Sequence, residues 1–139
     1  LHTHSAAAAT STTFTATAGE TIAAGELVSM NADGRVRQAD ANGAGVAVNC
    51  VGVANNAAVL LGAITIIVAG ERAVPDAEWD SVPTVADCGK RAYMSETAGN
   101  WTLTAPSTAG STVLKTGILT VGGAGSVKIV VQIGEGTVL

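Results

Sequence analysis

The chain has 139 residues, of which 13% are charged and 3% aromatic, and its formal net charge is −4. Its 7 basic residues are scattered along the sequence, so it lacks the basic cluster with which proteins bind nucleic acid. Its longest apolar run, residues 63–69, has the length of a strand and is far shorter than a membrane-spanning helix. We therefore expect a soluble protein that binds neither nucleic acid nor membrane.

The surface is expected to be poor in charge, because charged residues are about half as frequent as in an ordinary soluble domain. A monomer normally keeps its solvent face well charged and free of large apolar patches. The deficit therefore favours a surface that contacts other protein molecules. A surface of alanine and threonine that needs no partner is the alternative.

Residues 1–18 have low sequence complexity, with four consecutive alanines followed by threonine and serine. Such a segment buries too little apolar surface to order itself, and it predicts a flexible N-terminal arm. Its second half favours extended structure and could pair with the sheet of a neighbouring protein. The residues concerned are Thr12, Thr13, Phe14, Thr15 and Thr17. A disordered terminus without a partner is the alternative.

Strands and turns are predicted over residues 19–139, the body of the protein. Leu27–Met30 and Arg35–Gln38 flank a turn that ends in Asp33-Gly34. Glycine at this place supplies the positive φ that a tight hairpin demands. The pattern therefore predicts a β-hairpin.

Two longer strands are predicted after the hairpin, over residues 45–54 and 59–71. Their continuous valine and isoleucine content indicates burial on both faces. Residues 73–87 contain Pro75 and Pro83, which favour a loop or a short turn. Further strands follow at residues 91–95, 100–104, 112–121 and 127–133, with a glycine-rich turn at 122–125.

Residues 25–70 resemble residues 89–134. Gly25 is echoed by Gly89 and Met30 by Met94, each 64 positions later, and Val51-Gly52-Val53 is answered by Thr116-Gly117-Ile118. An internal repeat of this kind indicates two copies of one structural unit. No stretch has a helical period of helical length. The predicted fold class is therefore all-β, with a compact barrel-like body built from two similar halves and little helix.

The sequence lacks the residues of an enzyme or a metal site. The only histidines, His2 and His4, lie in the arm, where they cannot form a stable general base. Asp76, Glu78 and Asp80 alternate as calcium ligands can, but they lack the further ligands and the glycine of an EF-hand loop. We read them as solvated loop carboxylates and expect no catalytic residue, cofactor or metal.

Cysteine and aromatic residues are few and admit two readings each. Cys50 lies in an apolar strand pattern, which favours a small buried thiol, and a bridge to Cys88 is left open. Trp79, Tyr93 and Trp101 could stack on a sugar, but in so aromatic-poor a chain they are more often core residues.

The turn glycines and strand hydrophobics over residues 18–134 resemble those of the head decoration, or cement, proteins of tailed bacteriophages. The matching stretches are Ala18-Gly19-Glu20 through Gly25-Glu26-Leu27-Val28, then Asp33-Gly34-Arg35-Val36, Gly52-Val53-Ala54, Val85 to Tyr93, and Lys115-Thr116-Gly117-Ile118.

This resemblance implies a compact body of the type called β-tulip and assembly as a trimer. The expected partner is the major capsid protein, and the expected location is the exterior of the capsid in the virion. The resemblance further implies that the N-terminal arm pairs with capsid subunits. A phage fibre or surface adhesin module that binds glycans is the alternative function.

Overall fold

The structure, a computed structural model, describes residues 11–43, 48–122 and 126–139. These residues form eleven strands: β1 (Thr12–Ala18), β2 (Leu27–Met30), β3 (Arg35–Gln38), β4 (Cys50–Ala54), β5 (Ala63–Arg72), β6 (Arg91–Met94), β7 (Trp101–Thr102), β8 (Thr112–Val113), β9 (Lys115–Val121), β10 (Val127–Gln132) and β11 (Thr137–Val138). Two 3₁₀ turns, Asp76–Glu78 and Val85–Asp87, lie between β5 and β6. The predicted all-β class is confirmed.

Nine of the strands form one sheet in the order β1-β3-β2-β4-β5-β10-β9-β6-β7. Strand β1 also pairs antiparallel with β5, so that β1, β3, β2, β4 and β5 close into a barrel. Strands β8 and β11 form a separate pair. The predicted barrel body is confirmed as well.

The two copies of the sequence repeat occupy the two halves of the sheet in the same order. The first copy supplies β3-β2-β4-β5 and the second supplies β7-β6-β9-β10. The halves join where β5 pairs antiparallel with β10. A register shift lies beside the pair Val28–Gly52 in the first copy and beside the pair Ala92–Gly117 in the second. The copies therefore share even their β-bulge.

Glycine is required at this bulge in both copies. A Cβ on Gly52 would lie 2.5 Å from the carbonyl oxygen of Ile67, and one on Gly117 would lie equally close to that of Val130. Neither distance is tolerated by real Cβ atoms. The two glycines let the neighbouring strands approach, which explains why they recur in the sequence repeat.

Equivalent faces of the two copies enter different cores. In the first copy this face lines the closed barrel, where β1 helps to cover it, and the buried residues are Ala18, Ile22, Val28, Val36, Ala54, Ile64 and Ile66. In the second copy the equivalent face includes Ala92, Trp101 and Ile129. It packs against residues of the first copy that point out of the barrel, among them Leu27, Val53 and Ile67.

The hairpin prediction holds, because β2 and β3 pair antiparallel around Gly34, whose φ is +78°. The arm boundary needs correction, since residues 12–18 form β1 inside the barrel and residues 1–10 lie outside the described part. Residues 44–47 and 123–125, where a strand start and most of the glycine-rich turn were predicted, also lie outside it. Within the described residues the predicted strand over 45–54 begins only at Cys50.

The predicted strand over 59–71 begins later than expected, at Ala63. The expected burial on both faces is wrong for the residues before the strand and for part of the strand itself, where Ala63, Ala69 and Glu71 are exposed. Val59, Leu60 and Leu61 form an exposed loop, because Gly62 donates a hydrogen bond to the Val59 carbonyl and closes a turn ahead of the strand.

Candidate interaction surfaces

Strand β1 presents one unpaired edge. All of the predicted pairing residues lie on it: Thr12, Thr13, Phe14, Thr15 and Thr17. Residues 12–17 pair with β5 on one edge, whereas on the other edge only Thr17 and Ala18 pair with β3. Within the described part of the chain, residues 12–16 therefore have a free outer edge.

Side chains on β1 alternate between solvent and barrel. Thr13 and Thr15 are exposed, and Phe14 and Ala16 pack against the barrel core. This alternation is that of a half-buried strand. The strand is therefore anchored by its apolar face and leaves its threonines and its outer edge accessible.

A second accessible surface is the apolar loop, residues Val59, Leu60 and Leu61. Their side chains are 68%, 55% and 59% exposed. The loop is held firmly, because the Leu61 amide donates to the Ala18 carbonyl at 2.8 Å and Ala18 donates in turn to Gly62. Three consecutive large apolar side chains in solvent are unfavourable unless another molecule covers them.

Leu61 has a φ of +68°, and among the described residues other than glycine it alone has a positive φ. The left-handed region costs a leucine about 1–2 kcal/mol. The two backbone hydrogen bonds that Leu61 and Gly62 form with Ala18 hold this conformation. Sequence reasoning missed the loop, because Val-Leu-Leu before a strand has the composition of the strand itself.

The third surface is a cleft of about 410 Å³ beside the start of β10. Its uncharged lining residues are the apolar Val74, Trp79, Val82, Pro83, Val85, Val127 and Ile129 and the polar Thr84 and Ser126. Val82 and Val85 on its rim are 53% and 48% exposed. Two charged residues of opposite sign, Asp76 and Lys128, also border it.

The internal repeat explains why the cleft is open. In the first copy β1 runs antiparallel to β5 and ends parallel to β3. In the second copy residues 69–72 run antiparallel to β10, and Trp79 makes a parallel bridge to Trp101 of β7. Residues 69–79 thus make the contacts of β1, but Pro75 and the 3₁₀ turn Asp76–Glu78 lead the chain away between them. The cleft occupies that gap.

The carboxylates of the linker between β5 and β6 have different surroundings and do not form one site. Asp80 accepts hydrogen bonds from Ser95 and Asn100, whereas burial and the nearby Glu26 carboxylate raise the pKa of Glu78. The described residues hold no group of three or more His, Cys, Asp or Glu side chains placed to bind a metal ion. His2 and His4 lie outside the described residues.

The tryptophans belong to the core. Trp79 and Trp101 are 7% and 0% exposed, with ring centroids 5.7 Å apart and planes inclined by 36°. Trp101 also donates from Nε1 to the Gly25 carbonyl at 2.7 Å, which ties the second copy to the first. The rings are therefore covered and offer no flat platform to a sugar, while Tyr93 is half-buried.

Both cysteines are free thiols. Cys50 is buried as predicted, and burial raises its pKa to about 12. Cys88 is only half-buried. Because a thiol must ionise to react, Cys50 is the inert member of the pair.

No protein family and no curated protein matches this chain. Among residues 11–43, 48–122 and 126–139, no helix has the length and apolar character needed to cross a membrane. The surfaces described above are therefore the basis for the functional argument.

Proposed function

We propose that this chain is a structural virion protein that binds the outer surface of a tailed-bacteriophage capsid as a decoration protein. It acts as a trimer and needs no cofactor. The outer edge of β1 pairs with a strand of the major capsid protein. The body, held together by its own barrel, then bridges neighbouring capsid subunits.

The free edge of β1 is the observation that carries this proposal. An unpaired strand edge is a template for another strand, and proteins that do not use such an edge usually cover or charge it. Residues 11–18 carry no charged side chain. Main-chain hydrogen bonds along residues 12–16 would supply binding energy while Phe14 stays in the barrel.

The physical effect of decoration follows from mass action. A protein that binds the closed shell but not the opened one stabilises the closed shell by its binding free energy. Three weak edge contacts on one trimer add through avidity, since the second and third form at high effective concentration. A small, charge-poor barrel is sufficient for this task.

The glycan-binding fibre or adhesin module is the competing proposal. Exposed aromatic rings would favour it, because sugars stack on them, but both tryptophans are covered. Stoichiometry separates the two functions, since a decoration protein is needed in numbers comparable to the capsid subunit and a fibre in few copies.

The first test is a quantitative gel of purified particles that compares this chain with the major capsid protein. We expect a ratio near one to one. A trace band or none would overturn the decoration function and favour the fibre.

The second test changes the β1 edge itself. Thr13→Lys combined with Thr15→Lys places charge beside the free edge, which blocks strand pairing. We expect particle occupancy to fall at least tenfold, while Thr97→Lys combined with Thr104→Lys, a matched pair of changes at exposed threonines elsewhere, leaves it unchanged. Equal occupancy of the two variants would contradict pairing through β1.

A further inference from the structure

We propose that the apolar loop of one protein molecule inserts into the cleft of another molecule of the same chain, so that the chain self-associates head to tail. The proposal rests on the proposed trimer and specifies the contact between its subunits. Its test needs no capsid, so a failure here is distinguishable from a failure of capsid binding.

Five of the eight exposed large apolar side chains of the described residues lie at these two places, and the other three are Val121, Val138 and Leu139. The apolar loop contributes Val59, Leu60 and Leu61, and the rim of the cleft contributes Val82 and Val85. Covering one group with the other removes both from water. The driving force is the ordinary gain from burying apolar surface.

Each chain has one such loop and one such cleft, because the internal repeat is broken at both. A further cavity of about 430 Å³ among the described residues is lined in part by Val59 of the loop itself, so it belongs to the protruding feature and not to the receiving one. The second-copy connection equivalent to the loop runs from Gly122 to Ser126 and contains only glycine, alanine and serine. The first-copy position equivalent to the cleft is filled by β1, which pairs with residues 63–65. The two departures from symmetry therefore create one protruding and one receiving feature.

The loop of a chain cannot enter its own cleft. The loop directly precedes β5 and the cleft begins at Val74, just after it. Strand β5 has 10 residues, and at about 3.3 Å each it separates the two features by roughly 30 Å. The hydrogen bonds to Ala18 hold the loop in place. The loop that enters a cleft must therefore come from another molecule.

Charge is compatible with this contact. Residues 55–62 carry no charged side chain, and the cleft is bordered by Asp76 and Lys128, whose charges cancel. Lys128 also lies 3.9 Å from Glu71, so that one lysine lies near two carboxylates, of which only Asp76 lines the cleft. Insertion therefore buries apolar groups without burying a net charge.

A contact between two different surfaces is heterologous. Repeated contacts of this kind close into a ring when the rotation from one molecule to the next permits closure. One loop in one cleft is small beside the about 1,200–2,000 Å² of a stable interface. We therefore expect weak pairwise association that becomes stable through ring closure.

Sedimentation velocity over a range of protein concentrations tests the proposal. We expect the wild-type chain to form species larger than a dimer. Leu60→Asp in the loop and Val85→Asp on the rim should each lower the association constant at least tenfold. The matched control Val138→Asp, at a side chain that is 68% exposed outside both features, should associate as the wild type does.

A mixture of the two defective chains gives the sharpest result. The Val85→Asp chain keeps its loop and the Leu60→Asp chain keeps its cleft, so their equimolar mixture should form a dimer and nothing larger. Leu60→Ser and Val85→Ser replace the aspartate variants if circular dichroism shows that either is unfolded. The proposal is overturned by a wild-type chain that stays monomeric up to about 1 mM, by single variants that associate normally, or by a mixture that stays monomeric up to the same concentration.

Discussion

At the scale of single residues, the repeated glycines of the bulge are positions where sequence and structure constrain each other closely. Gly52 and Gly117 sit under a carbonyl oxygen of the adjacent strand, so any side chain forces the strands apart. The sequence repeat identified both positions. It could not say what they approach, because the approaching carbonyl oxygens belong to strands some 13–15 residues later in the chain.

Replacing either bulge glycine should destabilise the fold. We expect Gly52→Ala and Gly117→Ala each to lower the free energy of unfolding by about 1–3 kcal/mol through overpacking. Gly134→Ala is the control, because a Cβ there would meet its nearest atom at 3.5 Å. Urea denaturation measures all three, and a neutral Gly117→Ala would contradict the close approach.

The two thiols should differ in reactivity. In the native protein we expect a thiol reagent at neutral pH to modify Cys88 readily and Cys50 only after unfolding. The cause is burial, which raises the pKa of Cys50 to about 12 and excludes the reagent. Counting modified thiols with and without denaturant checks this, with Cys88→Ser as control. Fast modification of both thiols in the native state would contradict it.

At the scale of elements, the β2–β3 hairpin is fastened by Asp33. Its carboxylate accepts hydrogen bonds from the Arg37 guanidinium and the Arg35 amide, which lower its pKa to about 2. A lowered carboxyl pKa means that the stabilisation is complete above the ordinary value of 3.8 and is lost as the pH falls through about 2. The sequence predicted the hairpin from Asp33-Gly34, but not this side-chain clasp.

The hairpin should therefore loosen in acid in a way that depends on Asp33. Between pH 4 and pH 2 the wild type should lose more stability than Asp33→Asn, which lacks the titrating group. A carboxyl carbon titration followed by NMR should place the Asp33 midpoint near pH 2. A midpoint near 3.8 would contradict the clasp.

Strand β1 should be indispensable to the barrel. Deleting residues 1–17 removes the strand that closes the barrel against β5, together with Phe14 and Ala16 on its apolar face. We expect this deletion to unfold the protein or lower its thermal midpoint sharply, whereas deleting residues 1–10 should not. A folded protein after the longer deletion would mean that β1 is dispensable.

At the scale of the whole molecule, the two copies are expected to unfold together. One core contains Leu27, Val53 and Ile67 from the first copy and Trp101 and Ile129 from the second. Because neither copy can leave this core alone, a single cooperative transition follows. Both tryptophans lie after β5, so their fluorescence reports on the linker and the second copy, while circular dichroism reports on all strands.

Denaturation curves from the two probes should therefore coincide. In Trp101→Phe, loss of the hydrogen bond leaves the buried Gly25 carbonyl without that partner, at a cost of about 1–3 kcal/mol. We expect both curves to shift together in this variant. Separate transitions in the wild type would indicate that the halves fold independently.

The strand class, the hairpin, the buried Cys50 and the duplication could be predicted from the sequence, because these depend on local turn chemistry and on apolar patterns along the chain. The sequence could not predict where the two copies of the repeat bury their equivalent faces. The first copy closes around β1, and the second packs on the first, although their strands read alike. Closure of the barrel is non-local, because it depends on a chain segment that lies in space between two strands distant from it in sequence. In the first copy β1 fills the place between β3 and β5, whereas in the second copy no continuous strand of the described residues fills the place between β7 and β10. For the same reason the exposed loop and the open cleft appear only in the folded molecule, as the two places where the repeat fails to match.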